Sequence, residues 1–343
     1  MKTAERVSFL VGLALLAGLL YHIGAAALLS SLSDVGWGFA LIFALQTPAI
    51  LANTLAWRRM LPPEHRAAVP LSSLAAAMVS GDAVNAVTPT AVVAGSLVRV
   101  GLLRRRVPTA TAVGSTTLGA MTQFSAQVLF VLSGIPVVLG LTADQGLRTG
   151  LLVLFTILCL ALGLVLGLAW SPDLWRILQG RLDRIASWRR FRKRREESWS
   201  ALADATLGTL RRRPRDFVVS VVLYYAGWLV GAVEARLILS LLHVPVTWRQ
   251  AFSIEALSVA IEAILFFVPA KMGTQEGGKY VIFAALHLDP TKGFALGFVR
   301  RLRELAWAAV GLGLYGYLQR HPAASTASGA QPPLQRASDR NGA

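Results

Sequence analysis

Apolar runs of about twenty residues or more recur along this chain, and a helix rising about 1.5 Å per residue needs that length to cross a bilayer core roughly 30 Å thick. Six runs qualify, at 7–29, 37–57, 109–140, 149–170, 216–241 and 293–318. Hydrocarbon offers no partner to an open backbone, so each run must satisfy its own amides as a helix. A soluble core is a poor alternative for a chain with 55% hydrophobic and only 15% charged residues. The expected fold is therefore all-α and polytopic, a single transmembrane domain over residues 1–320 with a disordered tail at 321–343. The first run follows Lys2 and Arg6, and Ala25 to Ala27 could serve as a signal-cleavage site. That run exceeds the apolar region of a signal peptide and reads as a retained span.

Two further segments, 71–97 and 250–287, are apolar but interrupted near their centres by proline, glycine and polar residues. Lysine and arginine settle the orientation. Arg58, Arg59, Arg104 to Arg106, the 176–215 stretch and Arg320 fall in one set of connections, while the other set offers Arg148, Arg249 and Lys292. The rich set is cytoplasmic by the positive-inside rule. Six spans then place both termini in the cytoplasm of a cell bounded by a bacterial inner membrane. The parity closes if both broken segments are re-entrant, the first opening to the cytoplasm and the second to the outside. The formal charge of +16 lies mostly between spans, so it reports topology and gives no reason to expect nucleic acid. The basic stretch, with Trp175, Trp188 and Trp199, is either a helix lying on an anionic leaflet or a solvated loop.

An internal repeat is legible. Setting Pro89 over Pro269 aligns Asp82 with Glu262, Ser96 with Glu276 and Arg99 with Lys279 without a gap. Repeat one covers about 37–140 and repeat two about 216–318, joined by the basic connection at 171–215. An odd number of crossings lies between them, so the copies face opposite ways, a construction used by transporters whose broken helices meet near the midplane. Pro89 and Pro269 each remove a backbone donor and bend the segment. Gly273, Gly277 and Gly278 allow close backbone approach, and a half-helix beginning near Thr274 would aim its positive end at an anion.

Counting from Thr291, Arg300, Arg301, Arg303 and Glu304 lie roughly 14 to 20 Å into the last span. Each such charge costs at least about 2.5 to 3.5 kcal/mol to insert, so these side chains should face the protein interior. Arg300 and Glu304, four apart, can pair, and Glu262 or Glu276 can satisfy others. Two readings stay open: a phosphate clamp, extended by Lys279 and Arg99, or a structural ion-pair network. Lys271 and Gln275, at the centre of the second broken segment, are further candidates for headgroup contact. Glu255 and Glu262 share a helix face and serve either as proton carriers or in salt bridges, and Asn85 is placed to repair backbone at the first kink. Cys159 reads as a packing residue. The five histidines are scattered singly, and neither a metal-ligand set, a cofactor motif nor a catalytic signature is legible, so no enzyme is expected.

At 85–89, 95–99 and 266–278 the chain resembles the flippase-like family related to the transmembrane region of lysylphosphatidylglycerol synthase. The second motif, with Val299 to Leu305, is most similar to the branch associated with hopanoid biosynthesis. Ser96 and Ala94 depart from the Glu and Gly that this family often places there. The resemblance implies transfer of a lipid between leaflets along a path lined by the two re-entrant segments, with membrane lipids, most simply anionic ones, as partners. The alternatives are an accessory protein that scaffolds lipid-biosynthesis enzymes and an intramembrane lipid transferase.

Overall fold

A computed structural model describes residues 33–88, 93–171, 212–265, 268 and 273–320. The expected first span at 7–29, nearly all of the basic connection, the tail, Pro89, Pro269 and Lys271 lie outside the described residues. Among those described, every element is a helix: α1 Gly38–Met60, α2 Pro63–Arg66, α3 Leu71–Val87, α4 Val93–Leu103, α5 Thr109–Leu139, α6 Gln145–Trp170, α7 Pro214–Leu241, α8 Trp248–Ile264, α9 Thr274–Ala285 and α10 Pro290–Arg320.

Local chemistry sets these boundaries. Pro63, Pro214 and Pro290 open α2, α7 and α10, and Pro70 and Pro108 stand immediately before α3 and α5, positions where an amide proton would have no helical partner. Asp144 caps α6 by accepting from the Leu147 amide at 2.6 Å, and Thr247 and Gln250 form a capping box at the start of α8. Arg58 and Arg59 in the last turn of α1 complement its negative end.

Four of the described helices, α1, α5, α6 and α7, are long and apolar enough to cross a membrane. α10 has the length, at 31 residues, but carries charge at its middle. α6 lies at the periphery, with Leu152, Val153, Ile157, Leu160 and Leu164 exposed, as suits a helix solvated by lipid. Cys159 is exposed on the same helix and so is not the packing residue its apolar setting implied. The chain is a multi-pass membrane protein.

α1 and α7 pack antiparallel at the centre. Gly38 lies against Leu241, Asn53 against Gly227, and the Ser220 hydroxyl donates to the Ala56 carbonyl at 3.0 Å. The two interrupted segments are helical hairpins. α3 and α4 are joined by Arg99 to Asp82 at 2.5 Å, and α8 and α9 by Lys279 to Glu262 at 3.7 Å. Their limbs run from 11 to 17 residues, short of the roughly 20 that a full crossing needs.

α10 connects the two hairpins. Its first half carries α9, with Gly293 against Phe283 and Gly297 against Glu276, and its second half carries α3, with Gly311 against Val79 and Ala83. α8 packs in turn on α5, where Gly134 meets Ala256.

The first hairpin depends on a glycine contact. A β-carbon at Gly95 would collide with the Gly81 carbonyl and the Asn85 amide. Backbone cannot yield as a flexible side chain does, so Gly95→Ala is expected to cost about 1 to 3 kcal/mol. A lowered unfolding midpoint of the purified variant in detergent is the check.

Candidate functional site

The middle of α10 meets carboxylates from three other helices, α7, α8 and α9, and an amide from α1. Arg300 is buried, with its Nε 3.3 Å from Glu234 of α7, one terminal nitrogen 2.6 Å from Glu255 of α8, and the other donating to the Gly231 carbonyl at 2.5 Å. Arg303 places its Nε 3.1 Å from the other Glu234 oxygen and donates to the side-chain oxygen of Gln46 on α1. One carboxylate thus bridges two guanidinium groups. Around these side chains an isolated charge would pay heavily for lost hydration, and the mutual pairing makes burial tolerable.

A second set lies beside the first, nearer the start of α9. Arg301 meets Glu276 at 3.1 Å and Glu304 at 3.5 Å, and Glu304 also accepts from the Gln275 amide at 3.0 Å and stands 3.8 Å from Arg303. Arg301 is 18% exposed and Glu304 32%, against 6% for Arg300, so this set is the accessible edge of the cluster. Gly273 precedes α9 with φ at +70°, a left-handed conformation that glycine adopts without strain. α9 starts at Thr274, the residue expected, and Glu276 in its first turn suits the positive helix end. Gly278 lies against Ile261 across the hairpin, and Gly277 bonds back to the Gly273 carbonyl at 2.9 Å.

The pairing differs from the local expectation in one respect. Arg300 does not pair with Glu304 four residues on. It turns to α7 and α8, while Glu304 serves Arg301 and Arg303. The excess of cations within the last span is also met from elsewhere, because Glu234 and Glu255 face it. Glu234 and Gln46 did not emerge as site residues from the sequence. A lone carboxylate inside the apolar stretch 216–241 was the available signal, since an ionisable residue at bilayer depth needs a partner.

The first hairpin is built more simply. Arg99 is buried and Asp82, its partner, is half-exposed. Asn85 accepts the Gly95 amide proton at 2.7 Å, satisfying a donor in the first turn of α4 that has no helical acceptor. Ser96 follows on the same helix. Among the described residues no group of histidine, cysteine, aspartate and glutamate is arranged to hold a metal ion.

Fold and site together define a class: a multi-pass helical membrane protein in which two pairs of short helices pack along one long helix, the second pair contributing carboxylates to the ionised cluster at its middle. The chain belongs to the family of the lysylphosphatidylglycerol synthase transmembrane region, whose sequence profile matches residues 7–313. No curated protein and no solved structure is significantly similar to it.

Proposed function

We propose that this protein moves a lipid with an anionic or polar headgroup between the leaflets of a bacterial inner membrane. Both termini are cytoplasmic in this reading, and both hairpins are re-entrant. One observation carries the proposal. The ion pairs that close the hairpins, Asp82 with Arg99 and Glu262 with Lys279, fall at positions equivalent under the 180-residue offset, and the hairpins reach α10 from its opposite ends. Two like elements packed on opposite halves of one long helix support an inverted repeat that exposes a polar path alternately to each side.

Within that path the parts have different duties. Arg300, Arg303, Glu234 and Glu255 anchor α10 to α7 and α8. Arg301, with Glu276, Glu304 and Gln275, forms the edge where carboxylate contacts exchange for those of a passing headgroup, since guanidinium stays charged and matches phosphate oxygens. Lys279 and Lys271 add positive charge beside it, and Pro89, Pro269 and the glycines at 273, 277 and 278 shape the bends. The family connects the chain to membrane lipids, and the motifs at 266–278 and 299–305 favour hopanoid or phospholipid metabolism as the setting.

Purified protein reconstituted in liposomes is expected to accelerate leaflet exchange of a fluorescent anionic phospholipid above that of protein-free vesicles. Exchange no faster than in empty vesicles rejects the proposal. Acceleration by the protein alone excludes a role confined to scaffolding other enzymes.

A further inference from the structure

The cations of α10 have carboxylates to meet them. Near α4 the imbalance is reversed, with buried donors that lack acceptors. The Trp57 indole nitrogen, the Ser80 hydroxyl and Nε of Arg99 are all buried without a hydrogen-bond partner. The Tyr224 side chain is only 2% exposed. Interiors rarely leave one such group unpaired, so several together call for an explanation.

These donors converge on one region. Gly119 of α5 stands between the two aromatics: a β-carbon there would lie 3.0 Å from Trp57 Cδ1 and 3.6 Å from the Tyr224 hydroxyl. The Arg99 side chain lies along Gly81, next to Ser80, and Trp57 packs in one core cluster with Ala77 and Met78 of α3 and Leu102 and Leu103 of α4. Trp57 and Tyr224 sit about half a turn and about two turns inside the Arg59, Arg66 and Asp216 ion pairs, which close the arginine-rich end of α1 against the start of α7. That is headgroup depth on the face assigned to the cytoplasm.

We propose that Trp57, Ser80, Arg99 and Tyr224 form a binding site for a phosphate ester, the first station of a headgroup entering from the cytoplasmic leaflet. Several donors beside one guanidinium complement a tetrahedral oxyanion, which has acceptor oxygens in several directions. Asp82 holds Arg99 at 2.5 Å when the site is empty. Its side chain is 56% exposed, so it can turn to water when the phosphate takes its place.

The inference deepens the lipid-transfer reading and rests on it for the lipid, but it is tested by binding alone. Calorimetric titration of the purified protein in neutral detergent would use inorganic phosphate in one arm and monomeric short-chain phosphatidylglycerol in the other. Saturable binding of the lipid alone assigns the site to headgroups, and binding of both assigns it to phosphate itself. In either case Tyr224→Phe and Ser80→Ala should each weaken binding about tenfold or more, the loss of a hydrogen bond to a charged group. Without ligand the unfolding midpoint of Ser80→Ala should stay level or rise, because it removes a buried donor that had no acceptor, and that of Tyr224→Phe should stay level, because the ring and its packing are kept. Binding in neither arm, unchanged affinity in both variants, or midpoints lowered in both overturns the proposal. A protein that binds as described yet fails to exchange lipid refutes only the transfer reading.

Discussion

Glu234→Ala is expected to destabilise the folded protein by about 3 to 5 kcal/mol, the cost of breaking a buried ion pair from one side. Among the described residues Glu234 is the one acid that both Arg300 and Arg303 contact, at 3.3 and 3.1 Å, and all three are buried. Its removal leaves Arg300 with Glu255 and the Gly231 carbonyl, and leaves Arg303 with Gln46 and a distant Glu304. Thermal unfolding in detergent, followed by size-exclusion chromatography, reads the loss. Glu234→Gln keeps the volume and part of the hydrogen bonding, and should fall between wild type and the alanine variant. Replacing Glu234, Arg300 and Arg303 together by apolar residues of similar size should recover much of the loss, because the unpaired charges then disappear with their partner. Wild-type stability for Glu234→Ala would mean that water already solvates this cluster.

Arg301→Ala should have a different signature, with leaflet exchange falling at least about tenfold and the protein still folded. Losing a charge-assisted contact made to the moving headgroup is worth about 1.5 to 3 kcal/mol, which sets that minimum. The side chain is partly exposed and Glu304 more so, so their pairing is screened and the structural loss is smaller than at Glu234. Arg301→Lys keeps the charge but not the planar fork, and should retain an intermediate rate. Exchange by Arg301→Ala at the wild-type rate, measured in the same proteoliposomes, would remove this residue from the path.

The long helices were legible because span length is imposed by the bilayer. The stretch read as 216–241 is α7 at Pro214–Leu241, and the one read as 293–318 is α10 at Pro290–Arg320. The broken segments were legible from the clustering of proline, glycine and polar residues within one apolar run: a single proline does not end a span, as Pro48 in α1 and Pro136 in α5 show, whereas each clustered segment holds two short helices. The acid and base that close each hairpin stood out through their shared offset around Pro89 and Pro269.

The partners of the α10 arginines were a different matter. An i to i+4 rule looks only along one helix, and it joined Arg300 to Glu304. The carboxylates that Arg300 meets come from residues 234 and 255, on helices distant in the sequence, and the stacking of Trp307 on Phe43 at 4.7 Å helps fix α10 against α1. The donors Trp57 and Ser80 were equally invisible, since a tryptophan and a serine in apolar helices carry no mark of being unpaired. Hydrophobic length and the position of charge along a span act through the solvent, one residue at a time, so they can be read from the order of residues. Ion pairing and hydrogen-bond satisfaction act over a few ångströms between helices, so only the packed arrangement decides which arginine is neutralised and which buried donor is left open for a ligand.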